Sequence, residues 1–449
     1  MTKKILLFGA GYVAPPFVEY MLRRPENFVT IAARTLTSAQ KLSAKFPEGK
    51  TAPLQLAVTD EAAVDAAVAA HDIVISLIPY TFHALIIKSA VKNKKDFVST
   101  SYISPAMLEH DEAAKAAGVT VMNEIGVDPG VDHVYAMKTI DEVHAKGGKV
   151  LSFLSYCGGL PAPESSNNPL GYKFSWSPRG VLLAARNAAK FKENGEIVSI
   201  PGPELLRKGP KPIFIYPAFA FEGYPNRDSA PYEQRYNIPE AHTILRGTLR
   251  YQGNPRFVLT FADIGLLSDE PQAHLAADAP AQSWLDILGK LLGVAASSEV
   301  IQEAIATKAQ LTGDEKKRVI HGFKWLGMLS ADPADKRGTL LDTLSATLEK
   351  KMSFGPGERD MIMLQHKFEI EWADGRKETR TATLLEYGQP DGITAMARTV
   401  GVPCGIATQL ILDGVINRKG VIAPMTPDVY LPLLKELEAE HITCIEESV

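Results

Sequence analysis

The strand-like run Lys3-Lys4-Ile5-Leu6-Leu7-Phe8 passes without a break into Gly9-Ala10-Gly11-Tyr12-Val13-Ala14. The second string is G-x-G-x-x-A. With an apolar strand before it and a helix-patterned run after it, this spacing is the turn that cradles a pyrophosphate in a dinucleotide-binding fold. Gly9 permits the tight turn, Gly11 lets the backbone approach a phosphate, and Ala14 lets the next helix lie close to the strand. That helix presents N–H groups and the positive end of its dipole to the phosphates. Pro15 and Pro16 fall in its first turn, where a missing N–H costs little. The alternative is an ordinary glycine turn between strand and helix, and the flanking pattern argues against it.

The second strand, Val29 to Ala33, selects the dinucleotide. An NAD site places an acid here for the ribose 2′-OH, whereas this chain has Arg34-Thr35. A guanidinium pairs with a 2′-phosphate in bidentate fashion, so the expected cofactor is NADP(H).

Strand and helix patterns alternate up to about residue 125. Strands are expected at Leu54–Val58, Ile73–Leu77, Phe97–Thr100 and Val119–Met122, with helices at Thr37–Phe46, Glu61–Ala70 (capped by Asp60), His83–Lys92 and Pro105–Ala117. This repetition predicts an α/β doubly wound parallel sheet. Later segments read differently. A strand is expected at Val150–Tyr156, and Pro201–Pro239 is too rich in proline and aromatics for helices. A helical insertion is expected over 272–350, and Met361–Trp372 and Arg376–Tyr387 form a hairpin around Asp374-Gly375. Two last helices, near Cys404–Val415 (started by Pro403) and at Pro427–His441, are expected to return and pack on the nucleotide domain.

Composition narrows the class. With 449 residues, 45% hydrophobic and 22% charged, the chain has material for two or three domains. A net charge of −4 with no basic block gives no footprint for nucleic acid or an anionic membrane. Cys157, Cys404 and Cys444 are too few and too scattered for a disulfide framework or a metal site. No metal is expected, and a reducing, cytoplasmic location is. No run reaches the ~20 apolar residues of a membrane span, and Ile5–Phe8 is too short for a signal segment.

Longer strings carry a resemblance. They are Ser76–His83 (SLIPYTFH), Met122–Gly130 (MNEIGVDPG), Ser155–Glu164 (SYCGGLPAPE), Asn168–Ser177 (NPLGYKFSWS), Tyr224–Ser229 (YPNRDS) and Arg246–Tyr251 (RGTLRY). Together they resemble the saccharopine reductase family, the NADP-dependent, glutamate-forming saccharopine dehydrogenases of fungal lysine biosynthesis. The resemblance runs almost end to end. It implies NADPH-dependent reduction of the imine of L-glutamate and L-2-aminoadipate 6-semialdehyde to L-saccharopine, by a homodimer. It also implies a Rossmann domain (1–130, completed by 396–449), an α+β substrate and dimerisation domain (131–271 and 351–395), and a small helical domain (272–350). Cofactor contacts are implied at Gly9, Gly11, Tyr12, Val13, Ala14, Arg34, Thr35, Val58, Leu77, Ile78, Thr100, Ser101, Val127, Asp128 and Val131. Ala57 departs from the pattern, which has an Asp after the third strand.

The substrate side has its own candidates. Saccharopine has three carboxylates, so its site needs fixed cations and backbone donors. Arg227 and Arg250 stand on segments broken by Pro, Gly and Asn, where each either clamps a carboxylate or forms a surface ion pair. The resemblance implies the clamp for Arg227 and leaves Arg250 open. Thr248 and Ser177 offer hydroxyls, and Gly158 of the Gly158-Gly159 pair, after Cys157, offers N–H groups. Ser101 and Tyr102 end one strand, and Asp128 lies in the turn past the last one, facing the same crevice. Asp128, Cys157 and Tyr102 are the catalytic candidates, because losing water from a carbinolamine needs a proton from a group with a pKa near working pH. His83 and His133 rank below them. Two other classes stay open: a transferase-like enzyme that recycles NAD within one turnover, as in homospermidine synthase, and a non-catalytic NADPH-sensing regulator.

Overall fold

A computed structural model describes residues 2–175 and 177–448. Met1, Val449 and Trp176, the last within the Asn168–Ser177 string, lie outside the described residues. The first part is β1 (Lys3–Phe8), α1 (Ala14–Leu22), β2 (Asn27–Ala33), α2 (Leu36–Ser43), β3 (Thr51–Gln55), α3 (Glu61–Ala69), β4 (Ile73–Ser76), α4 (His83–Lys92), β5 (Asp96–Ser99), α5 (Pro105–Leu108), α6 (Asp111–Ala117) and β6 (Thr120–Met122). Ile5, Leu6, Leu7, Val74 and Ile75 are fully buried, since helices cover both faces of the sheet. Asp60 caps α3 by accepting from the Ala63 N–H at 3.0 Å. The third strand lies earlier than its apolar run suggests, because pairing with β2 fixes its register at Val29↔Thr51 through Ala33↔Gln55. Leu56 to Val58 then form the loop beyond it.

The second part comprises α7 (Val131–Ala145), β7 (Lys149–Pro161), α8 (Pro178–Ala184), β8 (Ala189–Glu193), β9 (Glu196–Ile200), α9 (Gly202–Lys208), β10 (Lys211–Ile213), β11 (Phe221–Pro225), α10 (Tyr232–Arg235), β12 (Thr243–Tyr251) and α11 (Asn254–Asp263). The region 201–239 therefore holds two short helices, α9 opened by Pro201 and α10 by Pro231, where helices were not expected. Four helices follow, α12 (Trp284–Leu292), α13 (Ser298–Lys308), α14 (Gly313–Trp325) and α15 (Leu340–Lys351), then the hairpin β13 (Asp360–Glu371) and β14 (Lys377–Tyr387). The chain ends with α16 (Ala395–Leu412), β15 (Gly420–Ile422), α17 (Pro427–Ala439) and β16 (Ile445–Ser448).

Two sheets result. One is parallel, in the order β15-β6-β5-β4-β1-β2-β3, and the other is mixed, in the order β10-β11-β12-β7-β13-β14-β16 with the β8–β9 hairpin off β12. β15 joins the first sheet beside β6, and α16 crosses α1 so closely that a Cβ on Gly401 would lie 2.6 Å from the Val13 carbonyl oxygen. Pro403 sits inside α16 rather than starting it, since Thr394 already caps the helix at the Ala397 N–H. The final strand pairs with β14 in the second sheet, so the last residues leave the nucleotide half again. α16, with mean hydropathy 1.3 over 18 residues, is apolar and long enough to cross a membrane, and it is 78% buried within the protein. It packs against α1, α17 and β13, which accounts for apolar residues all round it.

Candidate functional site

The parallel sheet reverses its winding between β1 and β4, and the turns that follow its strands gather at this switch point. Gly9 has φ +117°, and a Cβ there would lie 2.8 Å from the Leu77 carbonyl oxygen, so only glycine fits. A Cβ on Gly11 would meet nothing within 4 Å, leaving open space where a pyrophosphate would lie. The α1 N-terminus has neither a side-chain cap nor an acid in its first turn, as an anion site requires. Tyr12, Val13 and Ala14 form this turn, with Tyr12 72% exposed. Arg34 is exposed at the end of β2, and among the described residues no ion pair holds its guanidinium. Thr35 precedes α2 with its hydroxyl uncommitted to capping. Val58, Leu77, Ile78, Thr100 and Ser101 follow β3, β4 and β5 at the same edge. These residues fit NADP(H). Val127 and Val131 do not offer side chains to it: they are 5% and 1% exposed and pack in the core under the loop.

The opposite wall is a cluster of charge. Asp128 sits in the turn between β6 and α7, where Gly130 (φ +147°) folds onto Gly126 with no room for a side chain. Its Oδ1 accepts from the Tyr102 hydroxyl at 2.6 Å and from Arg246 Nη2 at 2.7 Å. Arg246, on β12 and 5% exposed, also reaches Asp132 Oδ2 at 2.5 Å and donates to the Tyr232 hydroxyl. Its guanidinium lies 4.4 Å from the Tyr232 ring centre and 5.5 Å from that of Tyr102. Sequence reading missed Arg246. The available signal was strand period two, since Arg246, Thr248 and Arg250 share one face of β12.

Cys157 lies in mid-strand on β7, between Thr248 and Leu364, not at a strand end. Burial, then the charges of Asp128 and Asp132, push its thiol well above the usual range. Burial does the same to Tyr102, with the positive Arg246 opposing it. Both groups stay protonated at neutral pH, so neither has the near-neutral pKa expected of a catalytic candidate. Gly158 is no anion nest: it is paired opposite Met363 and admits Leu249, whose carbonyl oxygen a Cβ would meet at 2.9 Å. Ser177 is exposed and its Oγ caps α8 at the Gly180 N–H (3.2 Å), which commits it to structure. Thr248 Oγ1 accepts from Asn226 at 2.9 Å. Arg227, exposed and at φ +53°, holds its guanidinium 4.9 Å from the Tyr102 ring centre. Arg250 lies 5.0 Å from the Tyr172 ring centre and donates to the Leu249 carbonyl at 2.7 Å. Among the described residues it has no ion pair, so the surface-pair alternative does not apply to it. His83 is fully buried between Ser76 and Ser101 (2.9 Å each), and burial lowers its pKa to about 4. His133 is enclosed between Glu124 (2.8 Å) and Tyr236 (2.6 Å). Both histidines pack inside.

A phosphate turn with Arg34 beyond it on one wall, and on the other Arg227 and Arg250, which have no ion pair among the described residues, defines a nicotinamide-dependent oxidoreductase for an anionic substrate. Comparison with known proteins narrows this class. Residues 5–122 match the saccharopine dehydrogenase NADP binding domain, and residues 126–442 the saccharopine dehydrogenase C-terminal domain. The chain therefore belongs to the saccharopine dehydrogenase family. It is 55% identical to "Saccharopine dehydrogenase [NADP(+), L-glutamate-forming]" of Pyricularia oryzae, over 100% of this chain and 99% of that one. The protein of the same description from Saccharomyces cerevisiae is 50% identical over 100% and 99%. The structure of apo saccharopine dehydrogenase (L-Glu forming) from Saccharomyces cerevisiae superposes with TM-score 0.91 over 100% of both chains. The chain is also 40% identical to 48% of the mitochondrial alpha-aminoadipic semialdehyde synthase of Bos taurus.

Proposed function

We propose that the chain is a saccharopine reductase, which reduces the imine of L-glutamate and L-2-aminoadipate 6-semialdehyde to L-saccharopine, reversibly, in lysine biosynthesis. The observation that carries the reading is the Tyr102–Asp128–Arg246 cluster at the cofactor edge of the sheet, with Arg227 lying over the Tyr102 ring and Arg250 on the same strand face as Arg246. The glutamate amine adds to the aldehyde, the carbinolamine loses water, and the resulting C=N bond takes up one hydride at carbon, leaving a secondary amine. NADPH, when bound, supplies that hydride. Gly9 to Ala14 would hold its pyrophosphate and Arg34 its 2′-phosphate. Arg227 and Arg250 clamp substrate carboxylates and fix the imine carbon, so that positioning lowers the barrier. Asp128, kept in place by Tyr102 and Arg246, accepts a hydrogen bond from the iminium N–H and balances its positive charge. Tyr102 stays protonated with its hydroxyl donated to Asp128, so it acts by holding that carboxylate, and the proton that the departing hydroxyl takes up as it leaves as water is drawn from solvent.

The test mixes the protein with glutamate, the semialdehyde and NADPH and follows NADPH absorbance. Stoichiometric NADPH loss that requires both substrates supports the reading. No loss, or turnover without net cofactor change, overturns it and favours the cofactor-recycling class. We also propose a cytoplasmic homodimer. The unpaired Cys157, Cys404 and Cys444 suit a reducing compartment, and a one-chain mass by light scattering would reject the dimer.

A further inference from the structure

Glu124 is tightly held near the site by Ile103, His133 and Arg235, and the chemistry above gives it no part. It is 0% exposed, and its φ of +58° puts a non-glycine residue in the left-handed region. Such a conformation persists only where the surroundings over-determine it. Here its backbone N–H donates to the Ser101 carbonyl at 3.1 Å, and its Oε1 accepts from the Ile103 N–H at 3.0 Å. One residue thus grips the chain on both sides of Tyr102. Its Oε2 accepts from His133 Nε2 at 2.8 Å and from Arg235 Nη2 at 2.7 Å, which fixes the carboxylate from behind. Burial alone would raise its pKa, but the His133 hydrogen bond and the charges of His133 and Arg235 hold it at about 2, so the grip persists at working pH. The same backbone continues directly into the turn that carries Asp128.

We propose that Glu124 is a positioning residue: by bracketing Ser101 to Ile103 it holds the Tyr102 hydroxyl on Asp128, whereas Arg235, which also donates to the Tyr232 hydroxyl at 3.2 Å, gives the bracket counter-charge and not reach. The inference rests on the reading of Tyr102 and Asp128 given above. Because the bracket spans a fixed distance, side-chain length matters more to it than charge. Glu124→Asp keeps the charge but retracts the oxygens by one methylene, away from the Ile103 N–H. Glu124→Gln keeps the length and an oxygen for Ile103 but leaves Arg235 without its counter-charge.

The experiment compares kcat, substrate KM, NADPH Kd by fluorescence, and Tm in the full chain. Glu124→Asp is expected to lower kcat about tenfold to a hundredfold, since an ångström of misplacement is worth that much, with NADPH Kd within about threefold of wild type. Glu124→Gln is expected to lose less kcat but more Tm, because it strands a partly buried cation. Arg235→Met is expected to lower Tm while keeping kcat within about threefold, and it serves if the Glu124 variants fail to fold. The proposal is overturned if kcat follows Tm across the variants, if Gln harms kcat more than Asp, or if Arg235→Met loses kcat as Glu124→Asp should. Wild-type protein inactive on saccharopine with NADP would instead defeat the underlying reading.

Discussion

The cofactor wall and the substrate wall of this crevice are built on opposite principles. The cofactor wall is backbone: Gly9, Gly11 and an uncapped helix end in one continuous stretch, with Arg34 exposed and without an ion pair among the described residues. The substrate wall is side chain: beside the open Arg227 and Arg250, a cluster of Tyr102, Asp128, Asp132, Tyr232 and Arg246 meets from distant segments, largely buried and hydrogen-bonded together. A wall that waits for an anion leaves its donors open, whereas a wall that must fix a reacting atom over-determines its own groups before substrate arrives.

The sharpest way to break this contrast is to remove Arg246. Arg246→Met leaves Asp128 and Asp132 facing each other without their cation, and stranding buried charge in this way costs about 3–5 kcal/mol. Arg246→Lys keeps the charge without the planar fork that reaches Asp128, Asp132 and Tyr232 together, and should recover stability better than kcat. Urea unfolding and steady-state kinetics on both variants check this. A Met variant of wild-type stability would mean the cluster is not over-determined.

Acid tests both walls at once, because each conceals one neutral histidine. Burial holds His83, beneath Ser101, at about 4, and His366, whose Nε2 donates to the Asp132 carbonyl at 2.9 Å, at about 3. In the unfolded chain both titrate near 6.5, so below that pH the unfolded state takes up protons the native state refuses. Their contribution is intact above pH ~6.5 and is lost as pH falls toward ~4, by about 3 kcal/mol for His83. His83→Gln should remove one proton from the slope of stability against pH in that window. An unchanged slope would show that His83 is charged in the folded protein.

The two walls should also separate functionally. Arg34→Ala is expected to cost about 1.5–3 kcal/mol of NADPH binding, roughly ten- to a hundredfold, and to leave NADH nearly unaffected. Arg227→Ala should raise KM for glutamate or saccharopine by about tenfold with NADPH Kd unchanged. Kinetics with both cofactors decide the pair. A wild type that uses NADH and NADPH equally, or an Arg227 variant defective mainly in cofactor binding, would erase the distinction.

The same contrast explains what could be read from sequence. The glycine turn at Gly9 to Ala14 and the apolar strands Ile5–Phe8 and Ile73–Ser76 were legible because each is a local pattern whose physics is complete within a few residues. The register of β3 was not, because pairing with β2 decides it rather than its own apolar run. Arg246 was not, because nothing near it in sequence announces that Asp128 and Asp132, 118 and 114 residues earlier, will close on it. Gly158-Gly159 misled for the converse reason: glycine there serves close strand packing, which sequence cannot tell from an anion nest.

The smallest expected effect lies where the late part of the chain supports the early turn. In a helix interior, Gly→Ala ordinarily stabilises by up to about 1 kcal/mol. Gly401 in α16 should reverse that sign. A Cβ there would lie 2.6 Å from the Val13 carbonyl oxygen and 2.9 Å from the Phe17 nitrogen, which are backbone atoms that cannot rotate away. Overpacking of this kind costs about 1–3 kcal/mol, so a net loss near 1 kcal/mol is expected. Because Val13 belongs to the phosphate turn, the strain should appear in NADPH Kd as well as in Tm. Gly405, further along α16, supplies the control: its Cβ would meet the Tyr20 side chain at 2.7 Å, away from the turn. Gly405→Ala should therefore lower Tm and leave NADPH Kd unchanged. If both variants move Kd equally, α16 supports the fold in general and the phosphate turn does not depend on Gly401.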